Sequence, residues 1–463
     1  MFLAWILGSA PVHAFCGAYV GGEDALLSNE ASRMGIVRQD GRTTLTLLND
    51  VGGDQTHFGL LIPLPEAIDQ SDVQIVEATL IDDVDAYTAP RLVRYTCEDF
   101  REWDEDWGGS TSSGGCGGGA VYATDDADYA MEGEGGMGMP ANVHIEERFS
   151  VGEYDMTVLQ AVSENGLNNW LSANGFVLNP ATEDALADYV AAESWFLAAT
   201  VELDPQDVDT DEPVWLSTLQ LSYEDASFGL PIRLGTASSE GVQDLILFAV
   251  TSIDDGQVHV SNYPERVLED ECMPESTEGD GETFGGFFDE HFGEAPVDDA
   301  GRATWTLEYG WPGFQKCDPC PDGSFSSGGV PDSMLNGLGW EGAAADAYLS
   351  RLHLRYERAG VDQDLSLYGS GITDTTQLRY IEYDQNLEDR FPLCVTGWVE
   401  DAPGNCDEEL GLDESVEDSG FEDEDEVDPS ADGNRRPMGC LVGSGMAPAF
   451  GLFLVLGFVR RRR

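Results

Sequence analysis

The sharpest local motif of the sequence is a pair of cysteines separated by two residues, Cys317-Asp318-Pro319-Cys320. In dithiol oxidoreductases this spacing lies at a helix N-terminus, where the helix dipole lowers the pKa of the first thiol. The residues that follow, 321–329, are rich in glycine, serine and proline and do not favour a helix. A zinc site would need a second such pair, which the sequence lacks. The motif therefore favours a structural disulfide loop over a redox pair or a zinc centre.

The histidines form no catalytic or metal-binding motif. They are scattered along the chain, and the stretch that starts at His144 only begins like the H-E-x-x-H signature of zinc enzymes. His353 alternates with Leu352 and Leu354 in a predicted strand, so we expect its ring to face solvent. The histidines after the N-terminal segment are His57, His144, His259, His291 and His353.

The acidic residues carry little information about chemistry. Asp207, Asp209 and Asp211 alternate as in calcium loops, but the glycine and glutamate that such a loop needs at its sixth and twelfth positions are missing. A solvated loop is therefore favoured. With 88 aspartates and glutamates in the chain, pairs of carboxylates are too common to indicate an acid–base site. We predict no catalytic, cofactor-binding or metal-ligating residue, and no cofactor.

The overall charge limits the partners of the protein. The chain has 463 residues, 41% of them hydrophobic, which is enough for the cores of two or three domains. Its formal charge of −66 would repel nucleic acid and anionic membrane surfaces. Lys316 is the one lysine, and arginine supplies the other cations. This composition indicates a highly soluble exported protein, with weak cation binding by the acidic surface as the alternative.

The elements that must position any site are clearest in residues 149–201. The pattern predicts a strand over 149–162, a helix capped by Ser163 and ended by Gly175, a second helix capped by Thr182, and a strand over 195–201. This strand-helix-helix-strand unit has the character of a scaffold. Residues 269–299, by contrast, are acidic, are interspersed with glycine and phenylalanine, and are predicted to be irregular.

Short strands dominate the N-terminal part. Residues 34–37 and 43–48 flank Asp40-Gly41, which is a type I′ hairpin signal. Residues 58–65 form another predicted strand, whose prolines suit an edge or an end of a sheet, and residues 74–80 are a further candidate. The pattern predicts a β-rich α+β fold: antiparallel, sandwich-like sheets around the central strand-helix-helix-strand unit, with one C-terminal transmembrane helix.

Composition shifts along the chain predict its organisation. The first residues resemble a secretory signal peptide, because an apolar run ends in an A-x-A-like site. The predicted parts are a signal peptide at 1–14, an N-terminal β domain at 15–106, a Gly-rich loop at 107–140, an α+β domain at 141–406, an acidic disordered stalk at 407–438, and a C-terminal sorting signal at 439–463.

Several stretches of the chain resemble a bacterial family of unknown function. The sequences FCGAYVGG, FGLLIPLP, VGEYDMTVL, GLNNWLSANGF, FGLPIRLG and SRLHLRY occur in the order found in the domain-of-unknown-function family 2330. The resemblance extends over residues 15–406. It implies an exported bacterial protein and implies no reaction.

Nine cysteines fit an oxidising compartment. If Cys440 serves a separate purpose, eight remain, an even number that suits disulfides. Two local pairs are predicted because the loops that they close are short. The candidates are Cys317 with Cys320, Cys394 with Cys406, and, without assigned partners, Cys16, Cys97, Cys116 and Cys272.

The C-terminal residues combine three features. Gly439 and Cys440 precede residues 441–459, which carry no charge and are about as long as one membrane span. A basic cluster follows and predicts that the tail lies inside. Together they resemble the sorting signals of myxosortase-type enzymes, which implies a sorting protease as partner and a lipid on Cys440. The alternative is an ordinary membrane anchor. The basic cluster consists of Arg460, Arg461, Arg462 and Arg463.

Two functions from different classes remain. The first is a membrane- or surface-anchored envelope protein with a non-enzymatic structural or binding ectodomain. The second is an extracytoplasmic enzyme whose catalytic residues meet only in the folded chain. A deep pocket that gathers a histidine with carboxylates would favour the enzyme, and a flat surface would favour the binding protein.

Overall fold

The computed structural model of the protein describes residues 17–21, 33–48, 50–51, 56–96, 143–203, 214–238, 241–268, 271–273, 284–316, 329–382 and 441–445. The strands in these residues are β1 (Ala18–Val20), β2 (Arg33–Gln39), β3 (Arg42–Leu48), β4 (Asp50–Val51), β5 (His57–Leu64), β6 (Val73–Val76), β7 (Arg91–Thr96), β8 (Val143–Val151), β9 (Tyr154–Ala161), β10 (Trp195–Glu202), β11 (Val214–Trp215), β12 (Thr218–Glu224), β13 (Gly229–Leu230), β14 (Val242–Ser252), β15 (Val258–Val260), β16 (Glu271–Met273), β17 (Trp305–Pro312), β18 (Ala347–Glu357), β19 (Leu365–Gly369), β20 (Thr376–Gln377), β21 (Arg379–Glu382) and β22 (Leu441–Gly445). The α-helices are α1 (Thr79–Thr88), α2 (Glu164–Ala173), α3 (Pro180–Ala191), α4 (Arg233–Ser238), α5 (Phe284–Phe292) and α6 (Asp332–Gly337).

Two large sheets organise the described residues. A five-stranded antiparallel sheet has the order β1-β5-β10-β9-β8. An eight-stranded sheet has the order β20-β17-β18-β14-β2-β3-β12-β6, and within it β14 and β2 run parallel while the other pairs are antiparallel. Three smaller sheets have the orders β13-β19-β15, β16-β21-β7-β22 and β11-β4. Strands from before residue 97 and from after residue 142 lie side by side in both large sheets.

The two large sheets pack face to face through one hydrophobic core, to which β5 and β10 contribute Leu60 and Leu197 and to which β3 and β14 contribute Leu45 and Leu247. Helices α2, α3 and α4 cover the other face of the five-stranded sheet. Helices α1 and α6 cover the other face of the eight-stranded sheet. The layers therefore run helix, sheet, sheet, helix, and the central strands of each sheet are buried on both faces.

The β-rich prediction is confirmed, with antiparallel and mixed sheets and few helices. The Asp40-Gly41 turn has the positive φ angles, 52° and 87°, that a type I′ hairpin needs. Pro63 lies inside β5, which is a central strand rather than an edge. Its neighbour β1 pairs with β5 only as far as Leu61. Pro63, which has no N–H to donate, therefore lies beyond the end of β1, near the end of β5.

The central unit of helices and strands is present, with two local differences. The Ser163 side chain accepts a hydrogen bond from the Gly166 N–H, as predicted for a helix cap. The second helix is capped by Asn179 rather than Thr182, because Pro180 suits the first helical position, where its missing N–H is not needed. The predicted strand over 149–162 is interrupted at Gly152, whose φ of 58° makes the turn between β8 and β9.

Two other predicted elements differ more strongly. The candidate strand over 74–80 ends at Val76, and α1 begins at Thr79. The predicted membrane helix over 441–459 begins with a strand, β22, which pairs with β7. Glycines at positions 443 and 445 disfavour a helix there. Residues 446–459 lie outside the described part, and none of the described helices is long and apolar enough to cross a membrane.

We predict that Trp170→Ala lowers the free energy of unfolding by about 3–5 kcal/mol, because it removes a large ring from a filled core. The Trp170 side chain is 5% exposed and packs with Leu167 and Leu171 between α2 and the five-stranded sheet. Urea denaturation of both proteins measures the difference. Trp215→Ala is the matched control, because Trp215 is 51% exposed. Equal denaturation midpoints for Trp170→Ala and the unmodified protein would contradict the burial of Trp170 in this core.

Candidate functional site

Charged side chains from three neighbouring strands and one helix meet on the α1-covered face of the eight-stranded sheet. Glu308, Arg351 and His353 are almost fully buried, with exposures of 0%, 4% and 3%. We call this group the charged cluster; its members are Asp85 of α1, Asp244 of β14, Glu308 of β17, and Arg351, His353 and Arg355 of β18.

Strand geometry brings these residues together. In β18, Leu352 and Leu354 point into the core between the sheets, so the residues that alternate with them point to the opposite face. Glu308 is the extra residue of a β-bulge, where the register with β18 shifts between Leu307 and Tyr309. A bulge turns a side chain out of the regular alternation, and here it aims the Glu308 carboxylate at β18.

The contacts within the charged cluster form a continuous chain. The ring of His353 bonds Asp244 through Nε2 and Glu308 through Nδ1. Arg351 donates from Nε to Glu308 and from Nη1 to Asp85. Arg355 donates from Nη2 to the second oxygen of Asp244 at 2.8 Å. Three cationic groups thus alternate with three carboxylates.

Electrostatic interactions determine which groups of the charged cluster are protonated. Burial alone would lower the pKa of His353, but the carboxylates of Asp244 and Glu308 raise that pKa to about 9. Burial likewise opposes ionisation of Asp244, yet His353 and Arg355 hold the pKa of this carboxyl well below its usual range. Burial also opposes ionisation of Glu308, whose pKa is nevertheless lowered by His353 and Arg351. At neutral pH His353 is therefore an imidazolium that donates from both nitrogens.

Helix α5 closes the charged cluster from outside. The Phe292 ring stacks on the His353 ring with centroids 4.1 Å apart and planes inclined by 26°. Asp289 accepts a hydrogen bond of 3.1 Å from Arg355. Arg266 donates to the carbonyls of His291 and Phe292 at the C-terminal end of the helix, where a cation is favourable. Aromatic stacking and ion pairing therefore hold α5 over the charged cluster.

This arrangement is poorly suited to catalysis as it stands. A general base must be unprotonated near neutral pH and must reach the proton that it removes. His353 is already protonated, both of its nitrogens are engaged, and a phenylalanine covers its face. The chemistry that the geometry does supply is mutual neutralisation of buried charge, which fastens α1 and α5 to the sheet.

The expectation that His353 faces solvent is wrong. Alternation correctly separates it from Leu352 and Leu354, but the second face of the sheet is also covered. The prediction that residues 269–299 are irregular is also wrong, because this stretch contains α5. It is α5 that covers this part of the second face. A signal was present: Phe284, Phe288 and Phe292 recur every four residues, as on the apolar stripe of a helix that covers a core.

The other described histidines are not members of the charged cluster. His57 lies 3.5 Å from Glu202 and His144 lies 3.1 Å from Glu146, both at exposed positions. His259 packs against the ring of Trp305 with centroids 5.1 Å apart, and His291 stacks on Phe287 in α5. Among the described residues, no group of three histidine, cysteine or acidic side chains has the arrangement of a metal site.

The predicted disulfide and sorting residues lie outside what the structure describes. Cys272 is in β16, but its side chain is not among the described ones. The remaining predicted residues are beyond the described ranges: Cys16, Cys97, Cys116, Cys317, Cys320, Cys394, Cys406, Gly439, Cys440 and Arg460, Arg461, Arg462 and Arg463. The two local cysteine pairs and the sorting signal stay predictions.

An open cleft lies away from the charged cluster. It has a volume of about 450 Å³ and lies where β2 and β14 end, beside β19. No histidine and no member of the charged cluster lines it. Its aromatic and charged lining residues are Arg38, Asp40, Phe228, Asp255, Trp340 and Tyr368.

Fold and cluster together define a β-rich protein of two packed sheets whose histidine–carboxylate group is closed by a helix. The family model of DUF2330, described as an uncharacterized protein conserved in bacteria, matches residues 10–368, and the chain belongs to this family. The family resemblance is thereby confirmed. No curated protein matches the chain by sequence. Among solved structures, that of baculovirus P35 matches with a TM-score of 0.28 and 11% identity, covering 75% of this chain and 97% of that one, a similarity too low to support an inference.

We predict that His353→Gln changes how stability depends on pH. The pKa of His353 is raised in the folded state from 6.5 to about 9, so protonation favours folding. This contribution is fully present below pH 6.5 and is lost as pH rises through about 9. Urea unfolding at a series of pH values should show a decline on the order of 3 kcal/mol in the unmodified protein that is missing in the variant.

His259→Gln is the matched control for this experiment. Burial lowers the pKa of His259, so its contribution has the opposite sign and is lost as pH falls through the ordinary histidine range. The control should keep the alkaline decline of the unmodified protein. A decline of the same size in His353→Gln would contradict the assignment of His353 as the titrating group.

Proposed function

We propose that the protein is an exported, envelope-anchored bacterial protein with a non-enzymatic ectodomain that serves binding or structure. The observation that carries this proposal is the closure of the charged cluster by α5. Among the described residues, His353 is the buried histidine that contacts two carboxylates, and there the ring of Phe292 stacks on it. The open cleft, in contrast, contains side chains suited to binding and no histidine.

The location is proposed from the sequence. A signal-like start, an even number of cysteines without Cys440, and a charge of −66 suit a protein outside the cytoplasm. A membrane span over 441–459, which would require β22 to leave its pairing with β7, or a lipid on Cys440 would attach it to the membrane, with a sorting protease as partner. One acyl chain binds a membrane only marginally, so a lipid anchor on Cys440 would need at least two chains.

Protease added to intact spheroplasts should digest most of the protein, because the proposed topology places everything before residue 441 outside. A cytoplasmic marker protein should survive the same treatment. Full protection of the protein would contradict the location. The intact mass then distinguishes the two anchors: loss of residues 441–463 supports sorting, and a mass that includes Arg460 to Arg463 supports an ordinary membrane anchor.

The alternative, an extracytoplasmic enzyme, would require α5 to leave the charged cluster. A broad hydrolase and oxidoreductase screen should therefore show no turnover by the purified protein. Glu308→Gln, folded at the assay temperature, provides the comparison, because Glu308 bonds both His353 and Arg351. Turnover that this single substitution abolishes would overturn the non-enzymatic proposal.

A further inference from the structure

The open cleft is built from ends of strands that the eight-stranded sheet brings together. Val37 of β2 pairs with Val250 of β14, and because the two strands are parallel, both end on the same side of the sheet. There the β2–β3 turn supplies Asp40, and the turn after β14 supplies Asp255. The volume of about 450 Å³ lies in the range of small-molecule sites.

Aromatic side chains form part of the lining. Trp340 is 4% exposed and is fixed by a hydrogen bond of 3.2 Å from its Nε1 to the Ala343 carbonyl. Tyr368 is 44% exposed, and its ring meets that of His259 edge-on. The cleft thus has one rigid aromatic wall and one ring that solvent or a ligand can reach.

The positive charge in the cleft is engaged by the protein itself. Arg38 donates to the Thr43 hydroxyl at 2.9 Å and to the Asp225 carbonyl at 2.6 Å. Its guanidinium also lies over the Phe228 ring, 5.9 Å from the centroid. These contacts hold Arg38 against the protein, so its charge is directed to internal partners.

The negative charges in the cleft are more accessible. Asp40 and Asp255 are both exposed, and Asp255 accepts a hydrogen bond of 2.6 Å from Ser252. Two exposed carboxylates therefore share the lining with one engaged guanidinium, in a chain with a formal charge of −66. A free anion would meet net repulsion, whereas a cation would meet attraction from the carboxylates and from the exposed ring of Tyr368.

We propose that this cleft binds a small organic cation of the alkylammonium class, with its charge beside Asp40 and Asp255 and against the ring of Tyr368. The inference rests on the proposed binding role and gives that role a ligand class. It differs from diffuse cation binding by an acidic surface, because an exposed aromatic ring and a defined cavity favour an organic group over an inorganic ion.

Calorimetric titration of the full chain with choline tests the proposal. Saturable binding of one choline per chain is expected. In the neutral carbon isostere a tert-butyl group replaces the trimethylammonium group. Its affinity should be lower than that of choline by a factor of about five or more, because it lacks the charge. Calcium chloride at the same ionic strength should not displace choline. Equal binding of the isostere, or full displacement by calcium, would overturn the proposal.

Two pairs of variants locate the site. Asp40→Asn keeps a residue that tolerates the positive φ of the turn, and Tyr368→Leu removes the exposed ring; each should weaken choline binding about fivefold. Asp254→Asn and Trp215→Leu are the controls, because both residues are exposed and do not line the cleft. Equal losses in the controls would overturn the assignment of the site.

A failure of this proposal can be told apart from a failure of the proposed function. If choline produces no saturable heat while the protein is exported and shows no turnover, the ligand class is wrong and the location and non-enzymatic role stand. If turnover that Glu308→Gln abolishes is found, the proposed function fails whatever the titration gives.

Discussion

Burial of the eight-stranded sheet on both faces is the constraint on which the rest of the structure depends. One face packs on the five-stranded sheet and the other on helices, so any charge on the second face leaves water. An isolated buried charge costs several kcal/mol, and only paired, hydrogen-bonded groups offset that cost. The alternation of Arg351, His353 and Arg355 with Asp85, Glu308 and Asp244 meets this requirement. Since Asp85 belongs to α1 and Arg355 also holds Asp289 of α5, the same pairing decides where both helices dock.

The charged cluster and the open cleft lie toward opposite ends of β14. Asp244 and Ser252 are eight positions apart, which corresponds to about 27 Å along a strand. The cluster holds its charges in fixed pairs, and its pKa shifts follow from burial and from those pairs. Perturbed pKa values often mark active sites, but structural ion pairs perturb them as well. Here the geometry favours the structural explanation, because the Phe292 ring stacks on His353 and the carboxylates of Asp244 and Glu308 engage both ring nitrogens.

Local structure could be predicted wherever a few neighbouring residues set it. The turn at Asp40-Gly41, the Ser163 cap and the left-handed Gly175 follow from backbone preferences that act within one turn of chain. The predictions from local sequence were wrong where two local signals competed. Asn179 and Thr182 can both cap a helix, and Pro180 decided in favour of Asn179. The strand predicted over 149–162 also contained a glycine, and Gly152 became a turn.

By itself the sequence determined that the chain is β-rich, that it belongs to its bacterial family, and that its charge is strongly negative, because these follow from composition, periodicity and order of residues. It could not determine the charged cluster or the cleft. Arg351 and Asp85 are 266 positions apart, and the parallel pairing of β2 with β14 joins residues 213 positions apart, such as Arg33 and Ile246. Alternation along β18 showed that His353 and Leu352 face opposite ways, but not that both faces are covered. That depends on where α1 and α5 pack, and such long-range packing is settled by the burial of the whole sheet rather than by any stretch of residues within it.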